Sequence, residues 1–153
     1  MIRALVMTGA LLASAGCANH MTTAHPRYLS PEQAVFNAAA SRNGFTASFQ
    51  MVVRASGRQG GILYLNSERD YRDPRNLSID INAATERSLA ERLGGAVQPT
   101  LAGKTIVVRG TARKTRIDFI NDDGRPSGKY YYQTHLVLKD ARDLTVSTEG
   151  PVR

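Results

Sequence analysis

Apolar and polar residues alternate along the segment 45–54, and the same pattern recurs over residues 77–82. Strict alternation predicts a half-buried β-strand, because successive side chains of a strand point to opposite faces. Three shorter apolar runs predict further strands. The five predicted strands are therefore centred on 45–53, 62–65, 77–81, 106–108 and 136–138.

Two segments carry the signals of helices instead. Ser30-Pro31-Glu32-Gln33 combines an N-cap serine, a proline at the first helical position and a glutamine placed for a capping box. These signals predict a short packing helix within residues 30–43, ended by Asn43-Gly44. Residues 84–93 have helical spacing, with Leu89 and Leu93 on one face and Gly94-Gly95 as the stop.

The order of three strands, a helix and two strands is the layout of an OB-fold, a small Greek-key barrel. Gly103-Lys104-Thr-Ile-Val-Val-Arg-Gly-Thr resembles the fourth strand of bacterial OB-type domains, and Tyr64-Leu-Asn-Ser67 resembles their second strand. The prediction for residues 44–148 is a mainly β, five-stranded OB-like barrel with one helix between strands 3 and 4. Gly110 is expected to let a strand bend at a barrel corner. An open antiparallel sheet with the helix packed on one face is the alternative fold.

Composition adds the expected size and charge of the domain. With 153 residues, 42% of them hydrophobic and 22% charged, the chain fits one soluble domain with an appendage. The net charge of +7 favours anionic partners, although net charge bears on association and not on fold. After the N-terminal segment no apolar run approaches the roughly 18 residues that a spanning helix needs.

The appendage is N-terminal. A basic start at Arg3, an apolar stretch and small residues before Cys17 are typical of a secretory signal. Leu12-Ala13-Ser14-Ala15-Gly16-Cys17 resembles a bacterial lipoprotein signal with its lipobox. The resemblance implies a signal peptide at 1–16, lipidation of Cys17, and a lipid-anchored tether at 17–29. It also implies export to the cell envelope, on the periplasmic side of an outer membrane if the bacterium has two membranes. A plain signal cut after Ala15 is the alternative.

The best candidate for a binding surface is a basic stretch followed by tyrosines. Arg109 and Arg113 share one face of the fourth strand, and Lys114 and Arg116 share the other. Lys129, Tyr130 and Tyr132 lie on the returning strand. Cations beside aromatic rings are what single-stranded nucleic acid binding uses. The alternative is a solvated strand edge protected from aggregation by its charges.

Other chemical groups predict no catalytic site, cofactor or metal. His20 and His25 lie in the tether without further ligands, and Asn121-Asp122-Asp123-Gly124 is typical of a turn and lacks the spacing of a calcium loop. The sequence therefore predicts a non-catalytic, membrane-anchored envelope lipoprotein whose OB-type module binds an anionic glycan, a lipid headgroup or a protein partner. A nucleic-acid-binding OB domain is the alternative, disfavoured by the expected compartment.

Overall fold

A computed structural model describes residues 28–148 and Gly150. The predicted signal peptide, Cys17 and nearly all of the predicted tether lie outside these residues. Within the described residues the first element is the helix α1, and strands, two more helices and one 3₁₀ turn follow it. The elements are α1 Pro31–Ala40, β1 Phe45–Val52, β2 Ala55–Gln59, β3 Ile62–Asn66, β4 Leu77–Ile81, α2 Ala83–Leu93, α3 Val97–Leu101, β5 Thr105–Ile120, β6 Pro126–Val137, the 3₁₀ turn Ala141–Asp143, and β7 Leu144–Val146.

The strands form one mixed sheet of seven, in the order β1-β5-β6-β4-β3-β2, with β7 paired to β5. Most pairings are antiparallel, whereas β4 and β6 run parallel, with Ser78 opposite His135 and Asp80 opposite Val137. The fold is therefore mainly β, as predicted, but it has seven strands where the sequence predicted five. The alternative, an open antiparallel sheet, differs from this mixed sheet in the parallel pairing of β4 with β6.

One additional strand comes from a glycine-containing segment. Residues 56–61 have the composition of a turn, yet β2 continues to Gln59 and pairs with β3. The turn is confined to Gly60 and Gly61, which have φ values of +57° and +80° that glycine adopts without strain. The second additional strand, β7, has three residues and pairs with the start of β5.

Only Val53 and Arg54 separate β1 from β2, and at this joint the backbone changes neighbours. The Val53 N–H donates to the Lys104 carbonyl at 2.9 Å, so β1 ends against the start of β5. The Arg54 N–H donates to the Asn66 carbonyl at 2.9 Å, so β2 begins against β3. The two ends of the strand order given above are thus consecutive in the chain.

Apolar side chains from the sheet and the helices share one core. Val108 and Leu138 are buried and Arg109 is exposed, so neighbouring side chains of β5 point alternately to the core and to solvent. The helix α2 is capped by Asn82 and ends at Gly94, and its Leu89 is fully buried. The fully buried large side chains are Phe49, Met51, Leu63, Leu65, Leu77, Ile79, Ile81, Leu89, Leu101, Ile106, Leu136 and Leu138.

The first helix has the predicted start but is shorter than predicted. Ser30 Oγ accepts from the Gln33 N–H, and the Gln33 side chain accepts from the Ser30 N–H, which completes the capping box. Ala34 and Ala38 pack into the core, and the helix ends at Ala40. Before it, Leu29 is bonded to β1 through Ser48 and Gln50, so this last residue of the predicted tether belongs to the folded domain.

Candidate functional site

The β5–β6 hairpin extends beyond the rest of the sheet. The pairing of β5 with β1 stops at Ala112, and the pairing of β6 with β4 stops at Thr134. Beyond these residues the two strands pair only with each other, up to Ile120 and Pro126. The face that is buried at Ala112 and Leu136 therefore continues into solvent along the hairpin.

Four of the predicted binding residues lie together on that face, which we call the hairpin face: Lys114, Arg116, Tyr130 and Tyr132. Lys114 Nζ lies 4.1 Å from the ring centroid of Tyr132, and Arg116 Cζ lies 4.2 Å from that of Tyr130. The two rings meet edge to face at 5.7 Å. Arg116 also pairs with Asp118 at 2.6 Å. The hairpin face is thus a row of cation–π contacts in which one of the two cations is already paired with a carboxylate.

The other three predicted residues lie elsewhere, so the seven do not form one surface. Lys129 is exposed near the hairpin tip, and alternation along β6 directs it away from Tyr130 and Tyr132. Arg109 and Arg113 share the outer face of β5, as predicted, and line a separate cleft with a volume of about 480 Å³. Arg113 Nη1 donates to the Asn43 carbonyl.

Sequence reasoning missed a second cavity, of about 450 Å³, on the outer face of the sheet. We call it the aromatic groove, defined by Tyr64, Tyr71, Phe119, Tyr131 and His135. Its floor comes from β3, β4 and β6, one wall comes from the loop 67–76, and the end of β5 forms the other. Phe119 and Tyr131 are in ring contact at 5.2 Å, and Tyr71 and Phe119 are both 44% exposed.

Buried amide and hydroxyl groups fix the loop that carries Tyr71. Asn76 Oδ1 accepts from the Glu68 N–H at 3.0 Å, and its Nδ2 donates to Ser78 Oγ at 3.0 Å. Ser78 Oγ donates to Asn66 Oδ1 at 2.6 Å, so the strands on both sides of the loop share one network. Because these buried groups are mutually satisfied, the loop leaves β3 and enters β4 in a defined geometry.

Several charged residues of the loop 67–76 have partners close by in the sequence. Arg75 and Asp73 form a 2.8 Å ion pair, and the Arg72 guanidinium lies 4.8 Å from the Tyr71 ring centroid. The side chain and then the backbone N–H of Arg75 donate to Asp73 and lower the pKa of that carboxyl to about 2. The Tyr71 ring therefore has the guanidinium of Arg72 against one of its faces.

His135 occupies the middle of the outer face and has a partner at each ring nitrogen. Nδ1 lies 2.7 Å from Asp80 Oδ1, and Nε2 lies 2.7 Å from Gln133 Oε1. The Gln133 amide is oriented by donating from Nε2 to the Tyr131 hydroxyl at 3.0 Å. Tyr64 stands edge-on to His135, and burial followed by the Asp80 charge raises the pKa of the Tyr64 hydroxyl. The groove thus has a fixed polar floor between its rings.

Neither a metal centre nor a membrane span emerges from the described part of the chain. Within residues 28–148, no three His, Cys, Asp or Glu side chains cluster in a way that could hold a metal ion. The helices of the same segment are too short or too polar to cross a bilayer.

No family model matches the chain, and neither does any curated protein. Two of the solved structures to which it is similar are a putative aspartyl-tRNA synthetase from Leishmania major Friedlin and an aspartyl tRNA synthetase from Entamoeba histolytica. The first is 14% identical over 89% of this chain and 23% of the synthetase chain, with a TM-score of 0.46. The second is 8% identical over 100% of this chain and 29% of the other, with a TM-score of 0.41. The chain thus spans about a quarter of these structures, and at such TM-scores the likeness carries no conclusion about its function.

Proposed function

We propose that the chain is a non-catalytic binding module that holds an anionic ligand in the aromatic groove. The observation that carries this proposal is the groove itself: a cavity of about 450 Å³ in which rings surround a polar floor. Ligand sites are typically concave, with apolar and aromatic walls and a few placed polar groups. The side chains of Gln133 and His135 supply those polar groups here.

A finer description of the fold supports the same location. We propose that β1 and β2 act as one bent strand, because only Val53 and Arg54 separate them and each half continues the sheet at one end of the strand order. The six strands β1 to β6 then form a five-stranded barrel of the OB type, with β3 and β4 as its second and third strands. OB-folds bind oligonucleotides and oligosaccharides on this face and with the adjoining loops. Tyr64 on β3 and Ser78 on β4 line the groove on that face.

The ligand that we place first is an acidic glycan. A net charge of +7 favours anions, and the groove combines exposed rings with the Gln133 amide and the Tyr64 and Tyr131 hydroxyls, groups that can bond to ligand hydroxyls. The proposed setting is the cell envelope, with the domain anchored through Cys17. An envelope glycan, or an anionic group on the membrane surface, would lie within reach of a domain tethered there.

Single-stranded nucleic acid is the second candidate, and the hairpin face favours it. Tyr130 and Tyr132 are 50% and 46% exposed and stand beside Lys114 and Arg116. Nucleic-acid strands bind where cations track phosphates and rings stack on bases. Each of these rings already carries a cation from its own chain on one face, so a base would have the other face or would have to displace the cation.

Binding of an acidic hexamer, five neutral sugars ending in one uronic acid, and of oligo(dT) to the purified protein tests the proposal. We expect binding of the acidic hexamer that weakens at least tenfold in Tyr71→Ala and Phe119→Ala. Both rings are partly exposed, so the variants should fold. Phe36→Ala is the matched control, because Phe36 is 74% exposed on α1 and does not line the groove. Equal affinity in all four proteins, or no binding of the hexamer, would overturn the proposal. Preference for oligo(dT), lost in Tyr130→Ala and Tyr132→Ala, would establish the second candidate instead.

A further inference from the structure

The cleft that Arg109 and Arg113 line, on the outer face of β5 and β6, differs in character from the aromatic groove. It has a volume of about 480 Å³ and contains three cations, Arg109, Arg113 and Lys139. We call it the basic cleft. Thr111 and Thr115 lie between and beside the arginines on the same face of β5, and Val137 lies across from them on β6. The rest of the lining consists of Gly110, His135 and two aspartates, and it includes no Phe or Tyr ring.

The charges of the basic cleft are not balanced within the chain. In the part of the chain that the structure describes, Arg109, Arg113 and Lys139 have no carboxylate within 4.0 Å, whereas Arg54, Arg58, Arg75, Arg116, Arg125 and Arg142 each have one. Two acids also line the cleft: Asp80, which is engaged by His135, and Asp143. Three cations therefore face two carboxylates, one of which is hydrogen-bonded to His135, and the surplus is positive.

Such a surplus is what an anion subsite requires. Like charges in one cleft repel one another, and a bound anion removes that repulsion. Arg113 is held in position through the Asn43 carbonyl, a neutral acceptor that orients the guanidinium and leaves its charge uncompensated. Arginine is well suited to this role, since its planar donors match the geometry of an oxyanion.

The basic cleft and the aromatic groove share a wall. His135 lines both cavities, held by Asp80 on one side and by Gln133 on the other. Along this face of β6, Tyr131, Gln133, His135 and Val137 follow at every second position. At about 3.4 Å per residue, Tyr131 and Val137 are roughly 20 Å apart. A ligand that reaches from groove to cleft must therefore be extended and oligomeric.

The positions of the cations without a carboxylate partner distinguish the two candidate ligands, an acidic glycan and single-stranded nucleic acid. A nucleic-acid strand carries a phosphate at every unit and needs cations along its whole track. Of the two arginines that line the groove, Arg58 is paired with Glu86 at 2.6 Å, whereas Arg72 lies on Tyr71 and has no carboxylate partner among the described residues. One unpaired cation thus lines the groove and three line the cleft. A ligand with an acidic group on part of its length fits this distribution better than one with uniform charge.

We infer that the basic cleft is an anion subsite in which Arg109, Arg113 and Lys139 bind a carboxylate of an acidic oligosaccharide whose sugar rings occupy the aromatic groove. This inference rests on the proposed function and specifies its ligand. The subsite recognises the charge of the ligand, and the aromatic groove, on the other side of His135, binds its sugar rings.

Two forms of one ligand separate these roles: a hexamer of five neutral sugars that ends in one uronic acid, and the same hexamer with its carboxyl methyl-esterified. In Arg109→Gln/Lys139→Gln we expect at least a tenfold loss of affinity for the acidic form and less than a twofold change for the ester. Arg87→Gln/Lys104→Gln is the control, since it removes two charges from exposed positions outside both cavities. Its effect on the acidic form should stay below threefold, because distant charges act only through a screened field.

The possible results distinguish failure of the anion subsite from failure of the proposed function. Equal losses for both hexamers, or an equal loss in the control variant, would overturn the subsite. If Phe119→Ala weakens both hexamers while the cleft variant weakens neither, the groove stands and the subsite is wrong. No binding of either hexamer by the unaltered protein would remove the proposed function and the subsite together. Tight binding of oligo(dT) that the cleft variant abolishes would overturn the assignment to a glycan.

Discussion

Asp80 and His135 show at the scale of the residue why the outer face was hard to predict. They are 55 positions apart, and their contact exists because β4 and β6 pair in parallel. In the sequence His135 is an isolated histidine on a strand, and nothing near it indicates a carboxylate partner. By contrast, the apolar runs at 106–108 and 136–138 indicate strands from local sequence alone, and both lie in strands or directly beside one.

Gly110 has a role at the same scale that differs from the predicted one. A Cβ at this position would lie 2.8 Å from Leu136 Cδ2 and 3.0 Å from its Cγ, and Leu136 is fully buried. The absence of a side chain therefore lets β5 and β6 pack around Leu136, and the predicted bend of the strand is not needed to explain the glycine.

Gly110→Ala should consequently lower the free energy of unfolding by about 1–3 kcal/mol, the usual cost of overpacking a core. The matched control is Gly57→Ala in β2, where a Cβ would meet nothing within 4 Å. That variant should be neutral or more stable by up to about 1 kcal/mol, since alanine restricts the unfolded chain. Urea denaturation of both variants measures the difference. Similar values for the two would show that Leu136 yields to the extra methyl group.

Among the elements, the β5–β6 hairpin was predicted best and β2 worst. Long alternating runs with a polar Asp-Gly turn between them predict a hairpin from local chemistry, and the structure has one there. The segment that includes β2 contains Ser56, Gly57, Gly60 and Gly61, whose composition is that of a turn. Its pairing with β3 over Ala55–Gln59 is decided by the neighbouring strand, and no property of the segment itself reveals it.

The hairpin face permits a test of whether its rings belong to the core. Tyr130→Ala and Tyr132→Ala should each lower the free energy of unfolding by less than about 1 kcal/mol, because exposed cation–π contacts contribute about 0.5–1 kcal/mol. Leu136→Ala, on the same face of β6 but fully buried, should cost about 2–5 kcal/mol. Denaturant midpoints of the three variants provide the comparison. A tyrosine loss as large as that of Leu136 would contradict the exposed position of the ring.

For the whole molecule, the mainly β class was predictable and the aromatic groove was not. Period-two patterns identify strands, but the order of strands in a sheet is a long-range property. The groove depends on that order, since it combines Tyr64 from β3, Tyr71 from a loop and Tyr131 from β6. Tyr71 in particular lies in a loop whose charges balance, and it acquires significance only when the loop folds against the sheet.

The attachment of the molecule to a membrane remains a prediction from the lipobox. Radiolabelled palmitate should enter the unaltered protein when it is expressed in a bacterium, and should not enter Cys17→Ser, because the thiol of Cys17 is the predicted point of lipidation. Cys17→Ser should also leave the membrane fraction, since two or more acyl chains are what give stable anchoring. If the unaltered protein is secreted in a soluble form without the label, the N-terminal segment is a plain secretory signal.

The pairing of β1 with β5 has a consequence for biogenesis. Val52 at the end of β1 pairs with Thr105, and Phe45 at its start pairs with Ala112. At a synthesis rate of about 5–20 residues per second, β1 is exposed for roughly 3–10 s before its partner leaves the ribosome. During that time an apolar strand with open hydrogen-bonding groups is available to other chains. β1 is therefore open to non-native pairing for longer than a strand such as β3, which pairs with its neighbour in the chain.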